Sequence, residues 1–156
     1  MTEPPLLTKK IYNHDTDCVG VVYYANYLKY FEEGRCEFFA GLGCSLADLA
    51  HQGFLFVVAK TEVEYKAPAR YQEIVTIGTR LAEVRNASLR FVQEVRRGET
   101  LLVRAKTFTV CISPRFKPVP LPPDIRKILV SAATPDECTT VGRKACNERR
   151  GTNNVQ

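Results

Sequence analysis

Long apolar runs, paired-cysteine motifs and blocks of like charge are all missing from this chain, and each absence excludes something. No apolar stretch approaches the roughly 20 residues a membrane-spanning helix needs, so no integral membrane association is expected. The opening Met1-Thr2-Glu3-Pro4-Pro5 has neither a charged n-region nor an apolar h-region, so no secretory signal is expected. The six cysteines (18, 36, 44, 111, 138 and 146) form no CxxC and no zinc spacing. No metal site follows from them. Cys36 and Cys44, in or beside a helix, and Cys111, in a strand, read as small core residues. A reduced, cytoplasmic protein is the expectation. The formal net charge of +5 is modest and its basic residues are scattered. That balance suits an anionic ligand without calling for nucleic acid or a membrane surface.

What is present is ordinary globular material. With 156 residues, 45% hydrophobic and 25% charged, the chain is one domain's worth and can bury a core without disulfides or metal. Leu7 to His14 alternates as a first strand. Tyr24 to Leu42 then carries Tyr24, Tyr27, Leu28, Phe31, Phe38, Phe39 and Leu42 at helical spacing, with Gly34 on the same stripe. Such a helix would be roughly 28 Å long. Ser45 can cap a short second helix to Gln52, which Gly53 ends. Phe54 to Val58 is continuously apolar, and from Ala59 the pattern alternates, with Ala59, Thr61, Val63, Tyr65 and Ala67 on one face. Glu73–Val84, Ser88–Arg96 and Thr100–Ile112 are further strands, the last two joined by a tight turn at Arg97-Gly98. Five prolines between Ser113 and Asp124 make an extended strap. Asp124 can cap a last helix through Leu129. Residues 1–130 therefore read as the domain, and 131–156, polar and aperiodic, as a disordered tail. No internal repeat occurs.

One strand, a long helix and a run of strands joined by tight turns is α+β, with an antiparallel sheet and helices on one face. A sheet that curls round a lone helix leaves strand edges open. Pairing them between subunits would protect them, so an oligomer is expected.

The chemical stretch is His14-Asp15-Thr16-Asp17-Cys18-Val19-Gly20-Val21-Val22-Tyr23-Tyr24. It places carboxylates and a flexible glycine just ahead of a helix N-terminus, where unpaired N–H groups and the positive dipole can hold a developing oxyanion. By itself an Asp before a helix often only caps it or orders a turn. Asp15 reads as structural, bonding loop amides. A Cys18–His14 nucleophile pair is conceivable, but Asp17 explains more of the arrangement.

The runs Ile11-Tyr12-Asn13-His14-Asp15-Thr16-Asp17, Gly20-Val21-Val22-Tyr23 and Ala25-Asn26-Tyr27-Leu28 resemble the opening of hot-dog-fold acyl-CoA thioesterases. The resemblance is nearest to the 4-hydroxybenzoyl-CoA thioesterase type and, within it, to the Tol–Pal-associated acyl-CoA thioesterases. Val63-Glu64-Tyr65-Lys66-Ala67-Pro68-Ala69-Arg70 looks like the family's second signature, and the likeness extends from about Leu7 to Leu129. It implies a hot-dog fold of about five antiparallel strands wrapped round one long helix. It also implies hydrolysis of an acyl-CoA to free acid and coenzyme A. Asp17 would be general base or nucleophile and the backbone N–H of Tyr24 the oxyanion donor, with no cofactor and no metal. Gly20, Tyr23, Tyr27 and Arg70 would meet the substrate. A homodimer or homotetramer, with sites at subunit boundaries, is the family's habit. The chain departs from the Tol–Pal-associated pattern at Tyr24, commonly His, and at Val19, commonly Gly. Both flank the expected acyl pocket.

Rival readings remain at this point. The hot-dog fold also hosts dehydratases, but these need a His–acid pair across the pocket, and the chain's two histidines, His14 and His51, are badly placed for it. A non-catalytic acyl-CoA-binding or complex-forming protein would keep Asp17 as a purely structural residue. An RNA binder is disfavoured because the aromatics follow the apolar stripe instead of interleaving with Arg and Lys.

Overall fold

The computed structural model describes residues 6–136. Five strands, β1 (Leu6–Lys10), β2 (Leu55–Tyr65), β3 (Ile74–Val84), β4 (Ser88–Arg97) and β5 (Thr100–Ile112), form one antiparallel sheet in the order β1-β3-β4-β5-β2. Short turns fold β3, β4 and β5 into a meander, and Gly98, at φ +55°, takes the left-handed conformation that the tight β4–β5 turn requires. The two earlier strands add to opposite sides of that meander, so β1 and β2 are the edges. Helix α1 (Asn26–Gly41) lies across β1, β3 and β4. The short α2 (Leu46–His51) packs beside β2 and carries the expected cap, Ser45 Oγ accepting the Asp48 N–H at 3.1 Å.

The apolar stripe on α1 explains this seating. Tyr27, Tyr30 and Phe31 bury against Ile11, Val75, Ile77 and Val95, while Phe38 and Phe39 meet Leu81, Phe91 and Leu129 further along. The strands read as alternating because α1 covers one face only. Gly34 sits at the closest approach. A Cβ there would lie 2.5 Å from Thr79 Oγ1 and 3.1 Å from Ile77 Cγ2. Beside it the buried Gln93 donates from Nε2 to the Phe31 carbonyl (2.7 Å) and to Thr79 Oγ1 (2.9 Å). Its Oε1 accepts from Arg35 Nη1 (2.9 Å).

Several boundaries differ from the sequence expectation. The helix begins at Asn26, not Tyr24, because Tyr23-Tyr24-Ala25 form a turn held by the Asn26 N–H on the Tyr23 carbonyl. Leu28, expected on the apolar stripe, is exposed. The first strand stops at Lys10, and Asn13–Asp15 form a 3₁₀ turn. The apolar run and the alternating run are one strand, β2. A register shift between Val58 and Lys60 makes Ala59 a bulge and removes it from the phase of Thr61 and Val63. Cys36 is exposed, whereas Cys44 and Cys111 are buried. Helix α3 (Pro123–Ala132) starts at a proline, so Asp124 lies in its first turn and does not cap it.

The domain boundary at residue 130 also cuts through α3. Beyond the helix, Thr134 N–H donates to the Leu81 carbonyl (2.8 Å), and the Asp136 carboxylate pairs with Arg80 and Arg90. Residues 131–136 thus belong to the folded domain. The rest of the expected tail, 137–156, lies outside the described residues.

Candidate functional site

The segment from Asp15 to Tyr24 is a small hairpin laid against the start of α1. Thr16 bridges Val22, and Asp17 N–H donates to the Val21 carbonyl at 2.9 Å. Gly20, at φ +82°, turns the chain back, and its N–H returns to the Asp17 carbonyl (3.0 Å). The half-exposed Asp17 carboxylate accepts the Val19 N–H on Oδ1 at 2.9 Å. This is an Asx-type turn that fixes the side chain through one oxygen. Its second oxygen makes no hydrogen bond to the described residues.

Asp15 is the anchor of the segment. Buried to 6% exposure, its carboxylate accepts the Tyr12 N–H (2.9 Å) and the Tyr30 hydroxyl (2.8 Å). Burial, reinforced by the Asp15 carboxylate, pushes the Tyr30 phenol far above its usual range, so it stays a proton donor to Asp15. The Asp15 main-chain carbonyl accepts the Tyr23 N–H (2.9 Å) and Asn26 Nδ2 (2.8 Å).

The second signature holds the hairpin from the other side. Val22 N–H donates to the Ala69 carbonyl (2.9 Å), Val21 bridges Arg70, and Ala69 N–H donates to the Tyr27 hydroxyl (3.0 Å). At the end of β2, the Tyr65 hydroxyl donates to the Tyr24 carbonyl (3.0 Å). The two signature stretches, about 40 residues apart in sequence, are therefore one hydrogen-bonded unit.

Each residue singled out from the sequence has a definite place. Asp17, Gly20, Tyr23 and Tyr24 come together in the hairpin and the turn after it. Tyr23 and Tyr24 are exposed, with ring centroids 4.8 Å apart, and Tyr24 meets the Tyr65 ring edge-on at 6.4 Å. The neighbouring Tyr24 phenol raises the Tyr23 pKa. Arg70 is exposed beside Val21, its N–H held by Glu73 Oε2 at 2.9 Å. Tyr27, expected to line the pocket, lies in the core at 2% exposure with its hydroxyl committed to Ala69. It braces the wall and offers no open face. The sequence reading missed Tyr30 and Asn26. Tyr30 stands one turn from Tyr27 on the same stripe, and Asn26 lies inside the first motif, so both were visible as residues but not as hydrogen-bonding groups.

Helix α1 opens without a side-chain cap, because Ala25 occupies the N-cap position. Among the described residues, neither the Tyr24 nor the Ala25 N–H has a hydrogen-bond acceptor. Uncapped amides at a helix start form a ready anion cradle, here at the end of the hairpin that holds the Asp17 carboxylate. Among the described residues no three His, Cys, Asp or Glu side chains converge as metal ligands, and no helix is long and apolar enough to cross a membrane.

Residues 13–129 match the Thioesterase-like superfamily. The chain belongs to that family. It is 39% identical over 118 residues to the acyl-CoA thioester hydrolase YbgC of Escherichia coli O157:H7, a match covering 74% of this chain and 88% of that one. A probable thioesterase from Bartonella henselae superposes with a TM-score of 0.73 at 35% identity, over 76% of this chain and 99% of that one. A hypothetical protein, TT1821, from Thermus thermophilus gives a TM-score of 0.78 at 30% identity, over 81% and 98%. The hot-dog fold implied by the motifs is thus the fold observed, and the chain is a thioester hydrolase.

Proposed function

We propose that this thioester hydrolase acts on an acyl-CoA, with Asp17 as general base on water or as nucleophile and the Tyr24 N–H as oxyanion donor. With Asp17 as base, its carboxylate takes a proton from water as the water adds to the carbonyl carbon, and the C–S bond breaks when the tetrahedral intermediate collapses. With Asp17 as nucleophile, the carboxylate displaces the thiolate to form an acyl–Asp17 anhydride, which water then hydrolyses. On both routes the products are the free acid and coenzyme A. The observation that carries the reading is a hairpin that fixes the Asp17 carboxylate through one oxygen and runs directly into uncapped amides at the start of α1. A thioester carbonyl is electrophilic and its thiolate leaves readily, so one carboxylate and one donor suffice. Base catalysis typically contributes about 10²–10⁴-fold and an oxyanion donor about 10²–10³-fold. Gly20 gives the hairpin its turn, Tyr23 borders the acyl group, and Arg70 meets the phosphates of coenzyme A. The relatives' names, a YbgC acyl-CoA thioester hydrolase and a probable thioesterase, support the substrate class. No cofactor is required.

The same reading makes the protein a homo-oligomer with sites at subunit boundaries. Among the described residues no strand pairs with the outer edge of β2 along its 11 residues, and Val57 and Val58 on it are exposed. A second copy adding its own β2 would cover that edge. The test of the chemistry is Asp17→Asn beside Asp15→Asn, assayed by thiol release. Asp17→Asn should fold and lose about 10²–10⁴-fold in turnover. Asp15→Asn should lose more stability than turnover. A folded but inactive Asp15→Asn together with a near-normal Asp17→Asn would place the chemistry on the other carboxylate.

A further inference from the structure

We propose that Asn26 is a positioning residue for hydrolysis, one that sets the spacing between the Asp17 carboxylate and the amides at the start of α1. The proposal rests on the acyl-CoA hydrolase reading above. Asn26 is the first residue of α1, in a helix whose N-cap position is an alanine. Its Nδ2 reaches back 11 residues to the Asp15 carbonyl at 2.8 Å. The Tyr24 and Ala25 amides just ahead of it have no acceptor among the described residues.

That carbonyl is a node. It also receives the Tyr23 N–H at 2.9 Å, so both of its donors come from the segment that carries Tyr24. The carboxylate of the same residue is fixed by Tyr12 and Tyr30. Asp17 follows two residues later, its own N–H on Val21. Asn26 is therefore a side-chain strut from the helix to the base of the loop that holds the carboxylate. Without it, Asp15 still anchors to the core, but the helix start is fastened to the loop through the Tyr23 N–H and the chain itself. A displacement of about 1 Å between reacting groups can cost about 10²-fold in rate. The loss should fall on turnover, because the Asn26 amide is spent on the Asp15 carbonyl.

The test is a double-mutant cycle of Asn26→Ala and Asp17→Asn, reading kcat, KM and melting temperature for an acyl-CoA substrate. Asn26→Ala alone should lower kcat by about 10–100-fold with KM within about twofold. In the Asp17→Asn background the same change should lower the residual kcat by less than about threefold, because the carboxylate it positions is gone. A merely structural role would lower activity equally in both backgrounds, and that result, an unchanged kcat, or a rise in KM alone would overturn the proposal. If Asn26→Ala folds poorly, Asn26→Asp keeps the shape, lacks the N–H and places a favourable charge at the helix start. The same cycle then decides. Should Asp17→Asn keep the wild-type rate, the base assignment fails and this proposal falls with it. Should Asp17→Asn be impaired while the effects simply multiply, this proposal alone fails.

Discussion

Gly34→Ala would test how closely α1 rides on the sheet. On an exposed helix, replacing Gly by Ala gains about 1 kcal/mol of helix propensity. At this site the added Cβ would stand 2.5 Å from Thr79 Oγ1, 3.1 Å from Ile77 Cγ2 and 3.2 Å from Gln93 Nε2. The first distance is too short to persist. Thr79 cannot simply rotate away, since it is 1% exposed, accepts from Gln93 and, as a β-branched strand residue, has a stiff χ1. Overpacking costs about 1–3 kcal/mol, and a strained or lost buried hydrogen bond at Gln93 about 1–3 kcal/mol more. Set against the propensity gain, the net loss is about 1–5 kcal/mol. For a chain of this size that is a fall in melting temperature of roughly 3–15 °C. Thermal unfolding of Gly34→Ala, Thr79→Ala and the double variant supplies the measurement. Deleting the threonine side chain removes the worst contact, so the double variant should be more stable than the two single losses predict, by about 1 kcal/mol. A Gly34→Ala protein as stable as the parent, or more so, would refute the close seating of the helix and the role given to Gln93.

Three further outcomes are expected. A chain ending at Ala132 should be about 1–2 kcal/mol less stable than one ending at Asp136, since it lacks the Thr134–Leu81 bond and the Asp136 pairs. Burial works to raise the Asp136 pKa, but hydrogen bonds from Arg80 and Arg90 outweigh it and hold the carboxyl below its usual range. That contribution is complete above the unfolded carboxylate pKa of about 3.9 and is lost as pH falls through the lower folded value. The melting difference between parent and Asp136→Asn should therefore be flat from about pH 7 to 5 and shrink below about pH 4; a difference that grows on acidification would contradict the pairing. For the open sheet edge, light scattering should give at least a dimer mass, and Val58→Lys on β2 should shift it toward monomer. A monomeric parent would remove the subunit-boundary site.

What could be seen in the sequence was what depends on period and turn chemistry. The strands β3, β4 and β5 alternate because α1 covers one face, and the helix stripe from Tyr27 to Phe39 has its period because that face meets the sheet. The first motif exposed Asp17 and Gly20 because a carboxylate and a positive-φ turn ahead of a helix are local features. Long-range placement was not visible. Nothing local says that β2 crosses to the far edge to pair with β5, or that Ala59 is squeezed out as a bulge. Residues 131–136 read as tail for the same reason. Thr134 and Asp136 look like tail residues until their partners, Leu81, Arg80 and Arg90, are brought alongside by the sheet.

The site divides along the same line. Asp15 reads as a loop-ordering residue, and its main-chain contacts agree, but its carboxylate is also tied to the hydroxyl of Tyr30, which the sequence reading did not single out. Tyr27 has the opposite history: its aromatic ring suggested a pocket wall, yet its hydroxyl is spent on the Ala69 N–H. Both phenols lie on the buried face of α1 and reach from the helix to a neighbouring segment, one to Asp15 at the foot of the Asp17 hairpin and one to the second signature. A phenylalanine at either position would fill the same volume and keep the same period, so hydrophobic pattern alone cannot distinguish them. The distinction lies in a single oxygen each. Through those two oxygens and the amide of Asn26, helix α1 fastens the loop that carries Asp17 and the strand segment that backs it. The hydrophobic stripe thus decides where the helix lies, and three polar atoms on it decide where the carboxylate stands.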